Sequence, residues 1–234
     1  MQLLVIQEVE AVSMGRERED EALALQDGVG LWCELLSDVT EWSMGRSALF
    51  LDRDGVILKS ISYLHSPEDA ALIDGAAEII CSCNRNKIPV VVVTNQSGVG
   101  RGMYGWHEFR ATQNQLVALL GNEGASLDMV LACAYHEDAQ GEYRQPQHLW
   151  RKPRPGMIAE AARVLQLDLS TSWIIGDQET DIEAGRTGGL AGGILVLSGE
   201  TDQSAADNVV GSHGFTVRKA YSIAACRFLI EYMS

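Results

Sequence analysis

The sequence predicts an α/β fold: a doubly wound parallel sheet in three layers, with no large cap domain. Two observations carry that prediction. Short unbroken apolar runs, such as Ala48–Leu51, Val90–Val93 and Trp173–Ile175, read as strands buried on both faces, as in parallel sheets. Stretches of helical period separate them, so strand and helix alternate along the chain.

The elements follow in order. Residues 1–46 form an extension with a short apolar start, a charged patch from Arg16 to Glu21, and a stretch containing Leu31, Trp32, Leu35 and Leu36. That spacing suits one or two amphipathic helices between Glu21 and Trp42, and the extension is expected to be helical or partly disordered. Three readings of the extension compete: a helix docked on the domain, a partner-binding segment, or translated sequence upstream of a start at Met44. The domain proper is expected over 47–234. Its first strand spans 48–52, and a loop with Tyr63-Leu64-His65-Ser66-Pro67 follows. Gly75 to Asn86 is a helix, and a second strand runs from Pro89 to Thr94. Gly98, Gly100 and Gly102 keep the next stretch in a loop, then Trp106 to Leu120 is a helix that Gly121 stops. Asp128 to Ala134 is a third strand, and 136–150 is polar and loop-like. Gly156 to Leu167 is a helix, with Ile158, Ala161, Ala162 and Leu165 at helical spacing. A fourth strand ends at Asp177 and a fifth covers Gly192 to Leu197. Residues 198–215 are loop-rich, and Ala220 to Met233 reads as a closing helix. The whole is a Rossmann-like arrangement whose short inserts leave the site open.

Composition bounds the function. The chain has 234 residues, 46% of them hydrophobic, enough for one domain with a full core and an added segment. A formal net charge of -14 argues against a nucleic-acid partner, which needs a basic face. Five irregularly spaced cysteines do not make a disulfide framework and point to a reducing compartment. No apolar run approaches the ~20 residues of a membrane span, and the start lacks a basic leader, so the cytoplasm is the expected location.

The site is read from strand ends. Asp52 and Asp54 stand two apart where the first strand finishes, on one side of an extended chain, and Gly55 permits a sharp turn after them. Ligands bind beyond the carboxyl ends of such strands. Two acids aimed at one point suit a nucleophile with an acid/base, or a metal site. A single Asp there would read first as a helix N-cap or a turn acid. Three further stretches join them: Thr94-Asn95-Gln96-Ser97 after the second strand, Arg151-Lys152-Pro153, and Asp177-Gln178-Glu179-Thr180-Asp181 after the fourth.

Together these stretches resemble, in order, the four motifs of the haloacid dehalogenase superfamily of phosphatases, over about Ser47 to Leu197. The resemblance is closer still to one branch. Asp52-Arg53-Asp54-Gly55, Tyr63-Leu64-His65, Thr94 to Gly98, Arg101-Gly102 and Arg151-Lys152-Pro153 with Pro155-Gly156-Met157 look like the D-glycero-D-manno-heptose 1,7-bisphosphate phosphatases. Histidinol-phosphate phosphatase domains are near relatives of that branch. The resemblance implies a cytoplasmic enzyme of the sugar metabolism that feeds lipopolysaccharide, working through an aspartyl-phosphate. Asp52 is then the nucleophile and Asp54 the general acid and base. Thr94 and Lys152 hold the transferring phosphoryl group, and Asn95, Gln96, Ser97 and Arg151 bind substrate. Mg2+ is held by Asp52, the main-chain carbonyl of Asp54, and Asp177. Asp181 either orients Asp177 or Lys152, or favours a helix start.

The sequence departs from that branch in two places. Gln178 stands where the relatives often have Lys. The zinc loop, Cys-x-His with Cys-x-Cys, survives only as Cys133; Tyr135, His148 and Trp150 occupy the other positions, and His136 falls one residue late. Cys133, His136 and His148 could offer three zinc ligands of the four that zinc wants; the other reading is a zinc-free loop packed through Tyr135 and Trp150. The expected substrate is heptose 1,7-bisphosphate, ahead of another sugar phosphate and of histidinol phosphate. The chain is expected to be a monomer with a small phosphorylated sugar as its ligand. A rival of another class is a catalytically silent relative that binds a phosphosugar, or a partner through the extension.

Overall fold

The computed structural model describes residues 30–38, 43–198 and 209–233. Seven strands form one sheet in the order β1-β4-β3-β2-β5-β6-β7. They are β1 (Leu31–Leu35), β2 (Leu49–Leu51), β3 (Val90–Asn95), β4 (Met129–Cys133), β5 (Trp173–Gly176), β6 (Gly192–Val196) and β7 (Thr216–Ala220). All neighbours pair parallel except β1, which runs antiparallel to β4 with Leu31 opposite Cys133.

The helices are α1 (Ala76–Arg85), α2 (Ser97–Gly100), α3 (Trp106–Asn122), α4 (Gly156–Leu165), α5 (Glu179–Thr187) and α6 (Leu229–Met233). Alternate residues of each strand feed two separate cores. Leu49, Leu51, Val90 and Val92 pack with Ile79, Ile80, Phe109 and Leu116 of α1 and α3. Phe50, Val91, Val93 and Ile174 pack with Met157, Ile158 and Ile182 of α4 and α5. The unbroken apolar strands are thus explained: both faces are covered. Each fully buried aliphatic side chain contributes about 1.5–3 kcal/mol, so the two cores dominate stability.

Five expectations need correction. Residues 31–35 are a strand and not a helix. Trp32 packs its ring 5.4 Å from Phe109 and 5.8 Å from Trp106. Leu31 and Cys33 lean on the opposite core. Leu31, Trp32, Leu35 and Leu36 mimic a helical stripe, but the unsatisfied edge of β4 recruits them as a strand. The sheet therefore reaches into the extension expected to precede it. The rest of the helical expectation, residues 21–29 and 39–42, lies outside the described residues. Ser97–Gly100 is one helical turn where a glycine loop was expected. Helix α3 runs through Gly121 and ends at Asn122, because the left-handed exit falls at Gly124 (φ +75°). Strand β7, unanticipated, is an edge strand whose Arg218 and Lys219 face outward and hide its apolar signal. The closing helix is a short 3-10 turn, Ile223–Cys226, followed by α6. Among the described residues no helix is long and apolar enough to cross a membrane.

Candidate active site

From β2 the chain adds β3 and β4 on one side, then crosses back to place β5 on the other. A crevice opens at such a reversal, at the carboxyl ends of the strands. Here it is a cleft of about 260 Å³, lined by Asp52, Asp54, Thr94 to Gly98, Arg151, Lys152, Asp177 and Asp181, with Ser60 to Leu64 and Tyr104 at its side. Every predicted site residue lies on it.

Lys152 is the hub. Its Nζ stands 3.0 Å from Asp52 Oδ1 and 2.6 Å from Asp181 Oδ1, and it donates to the Val93 carbonyl at 2.8 Å. These three contacts match the three donors of an ammonium. Asn95 fixes the Lys152 main chain, donating to its carbonyl and accepting from its N–H, both at 3.1 Å. The Lys152–Pro153 peptide is cis. Burial pushes the ammonium pKa down, but Asp181 and Asp52 outweigh it and the net direction is up. Asp52 is raised by burial against the pull of Lys152, with the charges of Asp181, Asp177 and Asp54 adding to the rise.

The Asp52 carboxylate is asymmetric. Oδ1 accepts both the Arg53 N–H, at 2.7 Å, and the Lys152 ammonium. Oδ2 has no hydrogen-bond or ion-pair partner among the described residues, and Asp52 lines the cleft. Gly55 adopts φ +82°, as the turn demands. The backbone hydrogen bonds of that turn go to Arg53 O and Leu58 O and leave the Asp54 carbonyl out.

Asp54 is held by a second network. Arg53, fully buried, forks onto both of its oxygens at 3.1 and 2.9 Å, and Gln96 Nε2 donates to it at 3.0 Å. The same Gln96 amide donates to Thr94 Oγ1, and its oxygen accepts from Tyr104 at 2.6 Å. Asn95 and Gln96 thus spend their amides inside the protein: they line the cleft, but what they supply is support. Ser97 sits at the cleft and Arg151, half-buried, donates to the Tyr135 carbonyl at 3.1 Å. Arg53 and Tyr104 escaped the sequence reading. A signal existed for Arg53: a cation between two acids at the end of a buried strand needs a partner.

A divalent ion fits this donor set. Oxygens of Asp52, Asp177 and Asp181 lie within 4.8 Å of one another, all buried, and Lys152 is the one ammonium among them. Asp181 is largely spoken for by Lys152 and by the Gln178 N–H, which it accepts at 2.9 Å. The zinc trio does not converge: Cys133, His136 and His148 do not bring their ligand atoms within 4.8 Å of one another. Cys133 is in the core, and the Tyr135 ring lies 4.3 Å from that of His148 and 6.5 Å from that of Tyr143.

Similarity to known proteins agrees with the geometry. A family model described as HAD-hydrolase-like matches residues 149–219. A D-glycero-beta-D-manno-heptose-1,7-bisphosphate 7-phosphatase of Mesorhizobium japonicum is 50% identical over 149 residues, 64% of this chain and 69% of the relative. Its namesake in Photorhabdus laumondii is 33% identical over 171 residues, 72% of this chain and 91% of the relative. Among solved structures, a HAD-like phosphatase from Mesorhizobium loti superposes with a TM-score of 0.79 at 40% identity, over 88% of this chain and 94% of that one. The D,D-heptose 1,7-bisphosphate phosphatase from B. bronchiseptica, complexed with magnesium and phosphate, gives a TM-score of 0.70 at 25% identity, over 80% of this chain and 99% of that one.

Proposed function

Since this chain belongs to the HAD-like hydrolases, we propose that it is a Mg2+-dependent phosphatase acting on D-glycero-D-manno-heptose 1,7-bisphosphate at the 7-phosphate. The observation that supports the chemistry is the split of Asp52 at the cleft, one oxygen fixed by Lys152 and Arg53 and the other without a partner among the described residues. The substrate and the position come from the names of the relatives.

Asp52 Oδ2 attacks phosphorus and the bond from phosphorus to the sugar oxygen breaks. Asp54, oriented by Arg53 and Gln96, gives the leaving oxygen its proton. It then takes a proton from the water that cleaves the aspartyl-phosphate and frees Asp52. In this reading Lys152 and Thr94 hold the equatorial oxygens and Arg151 binds the second phosphate; all three line the cleft. Asp52, Asp177 and the Asp54 carbonyl would hold Mg2+, an ion suited to hard oxygens. When bound it neutralises charge between carboxylate nucleophile and anionic substrate.

The test is phosphate release with Mg2+ from heptose 1,7-bisphosphate, another sugar phosphate and histidinol phosphate. We expect the highest kcat/KM on the first and no turnover by Asp52→Asn. An Asn variant as fast as the parent rejects the nucleophile; a preference for histidinol phosphate rejects the substrate alone. Zinc has no part in this proposal, and purified protein should carry well under one zinc per chain; a stoichiometric value surviving dialysis would point back to Cys133, His136 and His148. We place the reaction in the cytoplasm, on the strength of five cysteines without a disulfide framework, and propose that the enzyme works as a monomer.

A further inference from the structure

We infer that Arg101 is a positioning residue that braces the 60–64 wall of the cleft against the loop leading to Arg151 and so sets which substrates fit. The inference rests on the phosphatase reading above. Arg101 follows directly on α2, the turn that closes the Thr94–Ser97 motif. Its Nη1 donates to the Tyr63 hydroxyl at 2.9 Å. Its Nη2 lies 3.1 Å from His136 Nε2, 3.4 Å from His136 Nδ1 and 3.2 Å from Asp138 Oδ2. Tyr63 belongs to the 60–64 wall of the cleft. His136 and Asp138 begin the loop that leads from β4 to Arg151. One side chain, placed just after α2, therefore ties the 60–64 wall of the cleft to the loop that leads to Arg151.

Tyr63 needs holding. Its φ of +55° is left-handed, a costly conformation for an aromatic residue. Two contacts secure it: the Arg101 bond, and the His65 Nδ1–H, which donates to the Tyr63 carbonyl at 2.7 Å. His65 in turn stacks on Tyr104, ring centres 5.3 Å apart and 10° from parallel, and Tyr104 donates to Gln96. The pair with Asp138 is exposed and adds little by itself. The contact to Tyr63 is exposed as well, and the one to His136 is part-buried. Burial, with Arg151 and Arg101 beside it, lowers the His136 pKa, and the ring is tied to its own loop by Nδ1, which accepts the Asp138 N–H at 3.0 Å. The planar fork matters, because two nitrogens must serve two loops at once, and lysine offers only a point charge.

The test uses the full chain. In Arg101→Ala, amide hydrogen exchange should quicken about tenfold at residues 60–65 and 136–143 together, through loss of the Arg101 contact to each loop. Unchanged exchange in either loop overturns the brace. KM for heptose bisphosphate should rise about tenfold with kcat within about twofold, while p-nitrophenyl phosphate, too small to span the mouth, keeps its parental constants. Equal losses on the two substrates overturn the assignment. Tyr63→Phe added to Arg101→Ala should cost little more than Arg101→Ala alone, and additive losses count against it. Arg101→Lys should restore only part of the parental KM; full restoration would show that charge, not bracing, is what Arg101 supplies. A parent that hydrolyses p-nitrophenyl phosphate but not heptose bisphosphate rejects the substrate reading, and the exchange result still decides for or against the brace.

Discussion

Asp181 Oδ1 stands 2.6 Å from Lys152 Nζ, while its other oxygen accepts the Gln178 N–H at the head of α5. One carboxylate thus steadies both the cation of the site and the helix that follows β5. The close approach depends on Gly176, where a Cβ would meet the Asp181 side chain at 2.1 Å. Asp181→Asn keeps the shape and removes the charge. We expect a loss of about 1–3 kcal/mol in stability, read from the urea midpoint at unchanged m, and a drop in kcat of about tenfold or more. A parental midpoint together with a parental rate would reduce Asp181 to a helix cap.

Arg151 bears on substrate choice. Arg151→Ala should raise KM for a bisphosphate about tenfold or more, and for a monophosphate much less, because only the former has a second anion to lose. The comparison is made on heptose 1,7-bisphosphate against a sugar monophosphate. Equal losses would place Arg151 on the transferring phosphate or on the Tyr135 carbonyl that it already holds.

Asp128 gives stability a pH dependence. Burial raises its pKa, opposed by the Val90 N–H it accepts at 2.8 Å, by Ser37 and by Arg46. The folded state therefore binds this proton more tightly than the unfolded chain does. The resulting stabilisation is complete below the ordinary carboxylate pKa and is lost as pH rises through the raised folded value. Asp128→Asn keeps an acceptor for Val90 and removes the titration. Relative to the parent it should gain stability at pH 7 and lose that gain toward pH 4, read as urea midpoints. A difference independent of pH would show that the carboxylate does not titrate in this window.

The extension carries a strand of the sheet. Deleting residues 1–43 removes β1, bares the edge of β4 and takes Trp32 from Phe109 and Trp106. We expect a loss of at least about 3 kcal/mol, seen as a lower thermal midpoint and aggregation through the exposed edge. Turnover per folded molecule should stay parental, since β1 does not line the cleft. A stable, monomeric deletion product would return the segment to a partner-binding role.

The strands that reach the site were legible in the sequence because each is buried on both faces and so reads as an unbroken apolar run; β2, β3 and β5 fall within a residue or two of their expected limits. The edge strands were not. β1 has one neighbour and β7 one neighbour, so neither needs two apolar faces, and local pattern alone misassigns them.

That Asp52, Asp54, Thr94 and Asp177 cluster at one edge of the sheet was legible, because strand ends are marked by abrupt changes from apolar to polar residues; Lys152, far from any strand end, was picked out by the family resemblance alone. How those groups are wired was not legible. That Asn95 serves the Lys152 main chain, that Gln96 points inward to Asp54 and Thr94, and that Arg53 folds back onto Asp54 are consequences of side-chain direction. The same holds for Arg101, whose partners Tyr63 and His136 lie 38 and 35 residues away along the chain. Sequence determines which donors and acceptors exist and roughly where the backbone carries them. Only the packed structure decides which buried polar group each must satisfy, because that choice is made among neighbours in space.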